Sequence, residues 1–265
     1  MAEEIRNCCI CGSNANTVYT IPFLEVYGMA QEYTQKINIC PHCGFIYTAN
    51  PFTSELLSHR YKKMSKYEFD KKQDNNGIIT EEKREYIRRC KRQYSFIRNS
   101  NVQYESMLEV GAASGYNLSL YKKDDIAVYG IEPSEKNVES CKQKYTIELF
   151  QGMFQEYREK HHNKKYDIVF LSHILEHIVN PYQFILELSE INNRYMFIEV
   201  PTLDYKFNDE PFGMFTDEHV NYFTFEGLNN LMESLHYVVV DASIIFDVNA
   251  NNNGSSLSTL WQKTK

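Results

Sequence analysis

From about residue 80 onward the apolar positions fall into short runs that alternate with helical stripes. Thr80 caps a predicted helix with Glu81 and Glu82 in its first turn, and Tyr86, Ile87, Cys90, Tyr94 and Ile97 recur along it at helical spacing. The apolar run Val102 to Val110 predicts a strand, and Tyr116 to Tyr121 opens a helix. A second strand, Ile126 to Ile131, ends in Glu132-Pro133-Ser134, where Pro133 and Ser134 stop it and begin a helix through Lys136, Val138, Cys141 and Tyr145. Thr146 to Phe150 reads as a strand, Tyr166 to Leu171 as another, Pro181 to Ile191 as a helix, and Arg194 to Pro201 as the next strand. Thr224 caps a helix over Phe225 to Ser234. His236 to Asp241 and about Leu257 to Lys263 are the last strands, with a turn in Asn249 to Gly254. Strands that alternate with helices predict an α/β fold around an open, mostly parallel sheet, here of seven strands flanked by helices.

The first strand of that series runs into Glu109-Val110-Gly111-Ala112-Ala113-Ser114-Gly115. Two glycines separated by small residues suit a tight turn where a ligand approaches the backbone, and the following helix points its first amides at that ligand. The spacing differs from the three-glycine fingerprint that seats a pyrophosphate, and no phosphate-binding lysine follows. Glu132 ends the second strand ~20 residues later, where an acid accepts ribose hydroxyls. Ligands of parallel sheets sit beyond the carboxyl ends of the strands, where Gly111, Glu132 and Ser172 all fall.

The chain before residue 80 has a different character. Cys8-Cys9-Ile10-Cys11-Gly12 and Cys40-Pro41-His42-Cys43-Gly44 are two Cys-x-x-Cys knuckles, each followed by glycine. Cys8, Cys11, Cys40 and Cys43 suit tetrahedral zinc, in a closed four-sulfur site that holds structure and leaves no position for water. Cys9 is an alternative to Cys8, and Thr17 to Phe23 with Gln35 to Ile39 can form a hairpin between the knuckles. The expected division is a zinc-binding module over residues 1–50, a linker or lid over 51–79, and a main domain over 80–265.

A formal net charge of −7 argues against a nucleic-acid surface. No apolar run reaches the length of a membrane span, and the acidic N-terminus is not a secretory signal. A cytoplasmic location follows as the expectation, and there paired cysteines indicate metal chemistry before disulfides.

The turn Glu109–Gly115, the acid Glu132 and the segment Tyr166 to His177 resemble, in order and spacing, the class I S-adenosylmethionine-dependent methyltransferases. The resemblance covers roughly Tyr86 to Lys265 and implies a Rossmann-like domain. It implies donor contacts from Glu109, Gly111, Ala112, Gly115, Glu132, Pro133, Ser172 and His173. Many members place an acid against the adenine amine where this chain reads Gln151-Gly152-Met153-Phe154, so adenine is expected to meet Gln151 or the amides of Met153 and Phe154. His173 to Ile178 and Glu218 to Phe223 look most like members that methylate small molecules and sugar nucleotides. By that likeness Tyr61 and Tyr67 belong to a lid, and Glu176 and His177 border the substrate. His219 is the expected base, oriented by Glu218 or Asp217, with Tyr222 sharing the work or binding the acceptor. His173 and His177 stand four apart, as metal ligands on a helix do, but the sequence offers no persuasive third ligand, and His177 reads as a hydrogen-bonded structural residue. The implied activity is O-methylation of a sugar nucleotide or surface-polysaccharide precursor. C- or N-methylation, RNA methylation and a non-catalytic scaffold are the alternatives.

Overall fold

In the computed structural model the described residues are 5–24, 32–52, 79–204, 215–249 and 252–264. The expected lid tyrosines Tyr61 and Tyr67 lie outside them. Among the described residues eleven strands, numbered in chain order, assemble into a four-stranded sheet of order β1-β2-β3-β9 and a seven-stranded sheet of order β10-β11-β8-β7-β4-β5-β6. The chain divides into two compact units: Met1–Ser54 with Ser172–Leu188 and Ile198–Lys265, and Glu55–Leu171 with Ser189–Phe197.

The second unit holds the parallel strands. Helix α1 (Glu81–Asn99) starts at Thr80, whose hydroxyl accepts from Lys83 N at 3.4 Å, and it buries Tyr86, Cys90, Gln93 and Ile97 along one stripe. Strand β4 (Ser106–Val110) pairs in parallel with β5 (Ala127–Glu132) on one side and β7 (Tyr166–Ser172) on the other, Leu108 facing Tyr129 and Val169. The strand begins four residues later than the apolar run suggested. There the Asp167 carboxylate accepts from Glu105 N at 2.9 Å and from Ser106 N and Oγ at 3.1 Å, holding the entry to β4. Met107, Leu108, Ile168, Phe170 and Phe197 are fully buried, with the rings of Phe170 and Phe197 stacked 4.4 Å apart. Each such side chain contributes about 1.5–3 kcal/mol of burial.

Helix α2 (Tyr116–Lys122) follows β4, and α3 (Glu135–Tyr145) follows β5 under the Ser134 cap. The expected strand over Thr146 to Phe150 shrinks to β6 (Phe150–Gln151). Thr146 is the reason: it ends α3 in the left-handed conformation at φ 53°, its amide bonded to Lys142 O, so an extended chain starts only beyond it. Helix α4 (Phe154–His161) follows β6.

In the first unit β1 (Thr17–Phe23) and β2 (Tyr33–Ile39) form the expected antiparallel hairpin, and β3 (Ile46–Thr48) pairs with β2. The fourth strand comes from far along the chain: β9 (Asn221–Tyr222) pairs antiparallel with β3, Tyr47 facing Asn221. Chain order there runs through α5 (Pro181–Ile191), β8 (Asn192–Pro201), β9 and α6 (Phe225–Ser234), whose cap Thr224 accepts from Gly227 N at 3.0 Å. Strands β10 (Tyr237–Asn249) and β11 (Asn252–Lys263) extend the last two predicted strands into one long antiparallel hairpin, from Tyr237↔Lys263 to Asn249↔Asn252. Leu257, Leu260 and Trp261 on β11 are buried.

Candidate functional site

Three constellations carry chemistry. The first is the turn after β4. Gly111, Ala113 and Gly115 all adopt positive φ (77°, 46° and 76°), and the Gly111 and Ala112 amides donate to Ile131 O at 2.9 and 3.0 Å, tying the turn to β5. A Cβ on Gly115 would sit 2.1 Å from Cys141 Sγ on α3, so close helix packing as well as backbone conformation demands glycine. Glu132, at the end of β5, accepts from Ala113 N at 2.8 Å through one oxygen, and from Ser134 N at 2.9 Å and Asn137 Nδ2 at 3.2 Å through the other. Burial raises its pKa above the usual carboxylate range against these donors. Glu109 is also buried. One oxygen accepts from Asn117 Nδ2 at 3.0 Å, the other has no hydrogen-bond partner, and burial pushes the carboxyl up to about 8. An orphaned buried carboxylate beside a turn of left-handed backbone fits a cationic, ribose-bearing ligand.

The remaining expected donor contacts are placed as follows. Pro133 and Ser172 are half-buried and Gln151 is exposed. The Met153 amide donates to Glu156 Oε2 at 2.7 Å, and the Phe154 side chain is packed away at 3% exposure.

The second constellation is the cysteine cluster. Cys8, Cys11, Cys40 and Cys43 bring their sulfurs within 4.8 Å of one another, with Cys8–Cys43 at 3.5 Å and Cys11–Cys40 at 3.4 Å. Four thiolates at about 2.3 Å from a zinc ion stand roughly 3.8 Å apart, so the donor set fits. Gly12 and Gly44 close the knuckles in left-handed conformation, donating to Cys8 O at 2.8 Å and Cys40 O at 3.0 Å. The cluster uses Cys8 and not Cys9.

The third lies in the first unit and was not assembled from sequence. A short 3-10 turn, Leu175–His177, carries Glu176 and His177; His219 precedes β9. One donor atom each from Glu176, His177 and His219 lies within 4.8 Å of the others, and the two imidazoles meet edge-on with centroids 5.0 Å apart. The His177 Nδ1 sits 2.9 Å from Glu218 O. Glu176 is 1% exposed. Its burial would raise the carboxyl, but the His177, His173 and His219 rings outweigh that and hold it down, to about 2.

His173 takes a left-handed φ of 53° and places Nδ1 3.4 Å from Glu176 Oε1 and Nε2 3.5 Å from Glu199 Oε1. Glu199, fully buried, also accepts from Ser258 Oγ at 2.5 Å.

The loop bearing His219 is pinned by the N-terminal strands. Gln35 Nε2 donates to His219 O at 3.0 Å and to Thr216 O at 3.2 Å, and Thr48 N donates to Val220 O at 2.9 Å. Tyr222, expected beside an acceptor, is 2% exposed and donates to His219 O at 2.8 Å, so it holds the histidine's backbone. Arg6 belongs to no sequence motif. Its guanidinium donates to Val179 O, to Thr48 O at 2.7 Å, to Val220 O at 2.6 Å and to Asn221 Oδ1 at 3.1 Å, bracing both histidine-bearing segments. Asn221 Nδ2 in turn donates to Leu175 O at 3.0 Å and Ile178 O at 2.6 Å. No local sequence signal marks these contacts, because their partners lie some 40 to 215 residues away.

The family model described as "Methyltransferase domain" matches residues 80–242, more than half of the chain. No curated protein matches the sequence. Among solved structures, the chain is similar to the magnesium protoporphyrin IX methyltransferase of Synechocystis PCC 6803 with bound SAH, at 12% identity over 80% of this chain and 100% of that one, TM-score 0.59. It is similar to a SAM-dependent methyltransferase from Archaeoglobus fulgidus, at 18% identity over 68% and 94%, TM-score 0.53. A plantazolicin methyltransferase in complex with a desmethyl analogue and SAH aligns at 15% identity over 70% and 88%, TM-score 0.52.

Proposed function

The chain belongs to the S-adenosylmethionine-dependent methyltransferases, and from that premise we propose that it methylates an oxygen of a small polar acceptor, a sugar nucleotide or another surface-polysaccharide precursor. The observation that carries the oxygen assignment is the convergence of His219, His177 and buried Glu176, a constellation suited to taking a proton from a hydroxyl. The sugar acceptor is supported by the likeness of residues 173–178 and 218–223 to sugar-modifying members. The fold alone leaves the acceptor open, since the structural neighbours are named for a porphyrin and for plantazolicin.

Bound S-adenosylmethionine supplies a methyl group on a sulfonium, a good electrophile with a neutral leaving group. The residues that would hold it are the Gly111–Gly115 turn and Glu132, whose Oε2 accepts one bond from Ala113 N and retains a lone pair for a ribose hydroxyl. Glu109, raised by burial in the ligand-free protein, would be favoured in its ionised form by a cationic ligand. His219 is the residue on which activation of the acceptor hydroxyl depends: as the oxygen–carbon bond forms and the carbon–sulfur bond breaks, the hydroxyl proton leaves through it. Glu176 favours the charged imidazole, and Tyr222 and Gln35 hold the His219 backbone in place.

Incubating the protein with S-adenosylmethionine and a panel of nucleotide sugars, with mass spectrometry for a gain of one methyl, tests this directly. His219→Ala is expected to lower turnover by about 10²–10⁴-fold while calorimetry shows donor affinity unchanged. Intact turnover in that variant sinks the assignment. Among the described residues no helix is long and apolar enough to cross a membrane. We place the protein in the cytoplasm, where activated sugars are made.

A further inference from the structure

A ring nitrogen that is aimed at a carboxylate must either carry a proton or share a cation with it. The His177 Nδ1 lies 2.9 Å from the carbonyl of Glu218, which can only accept, so Nδ1 donates there and Nε2 is the ring nitrogen turned to the cluster. It lies 3.8 Å from Glu176 Oε1. Glu176 is 1% exposed, and its nearest polar partner is His173 Nδ1, 3.4 Å from Oε1. A buried carboxylate so sparsely bonded calls for a compensating positive charge. His173 cannot serve Glu176 alone, because it bridges to Glu199, a second buried carboxylate, at 3.5 Å. His219 brings a third donor atom to the same point.

We propose that Glu176, His177 and His219 form a binding site for a divalent transition-metal ion, with the acceptor hydroxyl as a further ligand. Two imidazoles and one carboxylate leave coordination positions open, unlike the four-cysteine site. Imidazole nitrogen selects zinc, iron, cobalt or nickel over magnesium and calcium, which prefer all-oxygen sets. The carbonyl of Glu218 on His177 Nδ1 is the kind of outer contact that fixes the orientation and protonation of a metal-bound histidine. The donor atoms span up to 4.8 Å, whereas donors about 2.1 Å from one ion stand roughly 3–4 Å apart, so modest ring rotation closes the site. The sequence presented His173 and His177 as a pair lacking a third ligand. The fold supplies it by bringing His219 to the 3-10 turn, and Glu176 replaces His173 in the set.

This inference rests on the reading that the cluster activates the acceptor, and it refines how. An ion here lowers the pKa of the hydroxyl it binds, so the proton is lost to water or a nearby base before or as the oxygen–carbon bond forms. In that case His219 is a ligand and its loss abolishes activation through the ion.

The test needs no acceptor. Full-length protein is dialysed against EDTA, re-equilibrated with buffered micromolar Zn2+, desalted and analysed for metal, alongside Glu176→Gln, His177→Ala and His219→Ala. Each is also titrated calorimetrically with S-adenosylmethionine, and circular dichroism checks the fold. Wild type is expected to hold one ion per chain more than each variant, whatever the four cysteines retain, with donor affinities within about twofold of one another. Equal metal in wild type and folded variants overturns the site, as does a wild type that holds no ion. If donor binding persists in either case, the methyltransferase reading stands without the ion. A wild type that does not bind S-adenosylmethionine removes the reading on which the inference rests.

Discussion

Gly115 is the position where the turn after β4 meets α3, and its replacement by alanine probes both demands at once. Alanine at φ 76° costs about 1 kcal/mol, the usual penalty for a Cβ in the left-handed region. The added Cβ would fall 2.1 Å from Cys141 Sγ, more than an ångström inside ordinary contact, and relief by moving α3 or α2 costs a further ~1–3 kcal/mol. Gly115→Ala is therefore expected to lose ~2–4 kcal/mol. Cys141→Ala removes a fully buried thiol and costs about 1–2 kcal/mol by itself. Combined, the substitutions leave the Cys141 Cβ at 3.2 Å as the nearest contact, a tight but tolerable approach. The double variant is expected to be more stable than the sum of the single losses by ~1–3 kcal/mol. Urea unfolding followed by far-UV circular dichroism, with matched m-values, measures all four corners of the cycle. A coupling energy below ~0.5 kcal/mol would show that backbone conformation alone demands glycine there, and the packing argument would fail.

Three further outcomes are expected. Glu109 is buried with its folded pKa raised from 4.5 to about 8. A carboxyl raised on folding is most favourable below its unfolded pKa, so up to about 5 kcal/mol of stability is lost as pH climbs from ~4.5 through 8. Glu109→Gln should flatten that decline in the ligand-free protein, and an unchanged pH–stability slope refutes it. For the cysteine cluster, protein loaded with zinc is expected to retain less of it, and to melt at lower temperature, as Cys8→Ser, while Cys9→Ser retains it as wild type does; elemental analysis after desalting decides. Asn221→Ala removes the donor to Leu175 O and Ile178 O and the acceptor for Arg6, and should cost ~2–4 kcal/mol in chemical unfolding. A loss under ~0.5 kcal/mol would mean that this bracing is idle.

Elements whose ends are set by local chemistry were legible from sequence. Pro181 at a helix start and Thr224 as a cap gave α5 and α6 to the residue, and Thr80 gave the start of α1. The cysteine knuckles and the turn residues of β4 were legible for the same reason, since their spacing is itself the signal. What failed was decided at a distance. The run Thr146 to Phe150 is apolar enough for a strand, but a left-handed cap consumes its first residue and only Phe150 and Gln151 find partners on β5. The run from Val102 begins pairing only where Asp167, ~60 residues on, captures its amides. Nothing in the order of residues announces that His219 will stand edge-on to His177, or that Tyr222 will spend its hydroxyl on the backbone of His219. Both follow from β9 pairing with β3, a contact with no sequence period to reveal it.

The same pairing sets a timetable for synthesis. Thr48 and Tyr222 are 174 residues apart, and translation at about 5–20 residues per second puts ~10–35 s between them. The cysteine knuckles can close within seconds of emerging, because all their sulfurs lie in the first 43 residues. Through the rest of that interval β3 has a free edge, and Phe45 and Tyr47, fully buried in the finished protein, have no cover from α6 or β9. An early-formed, late-completed sheet of this kind is a natural client for a holding chaperone. It is also the place where a nascent chain would pair wrongly if the knuckles closed and β9 did not follow.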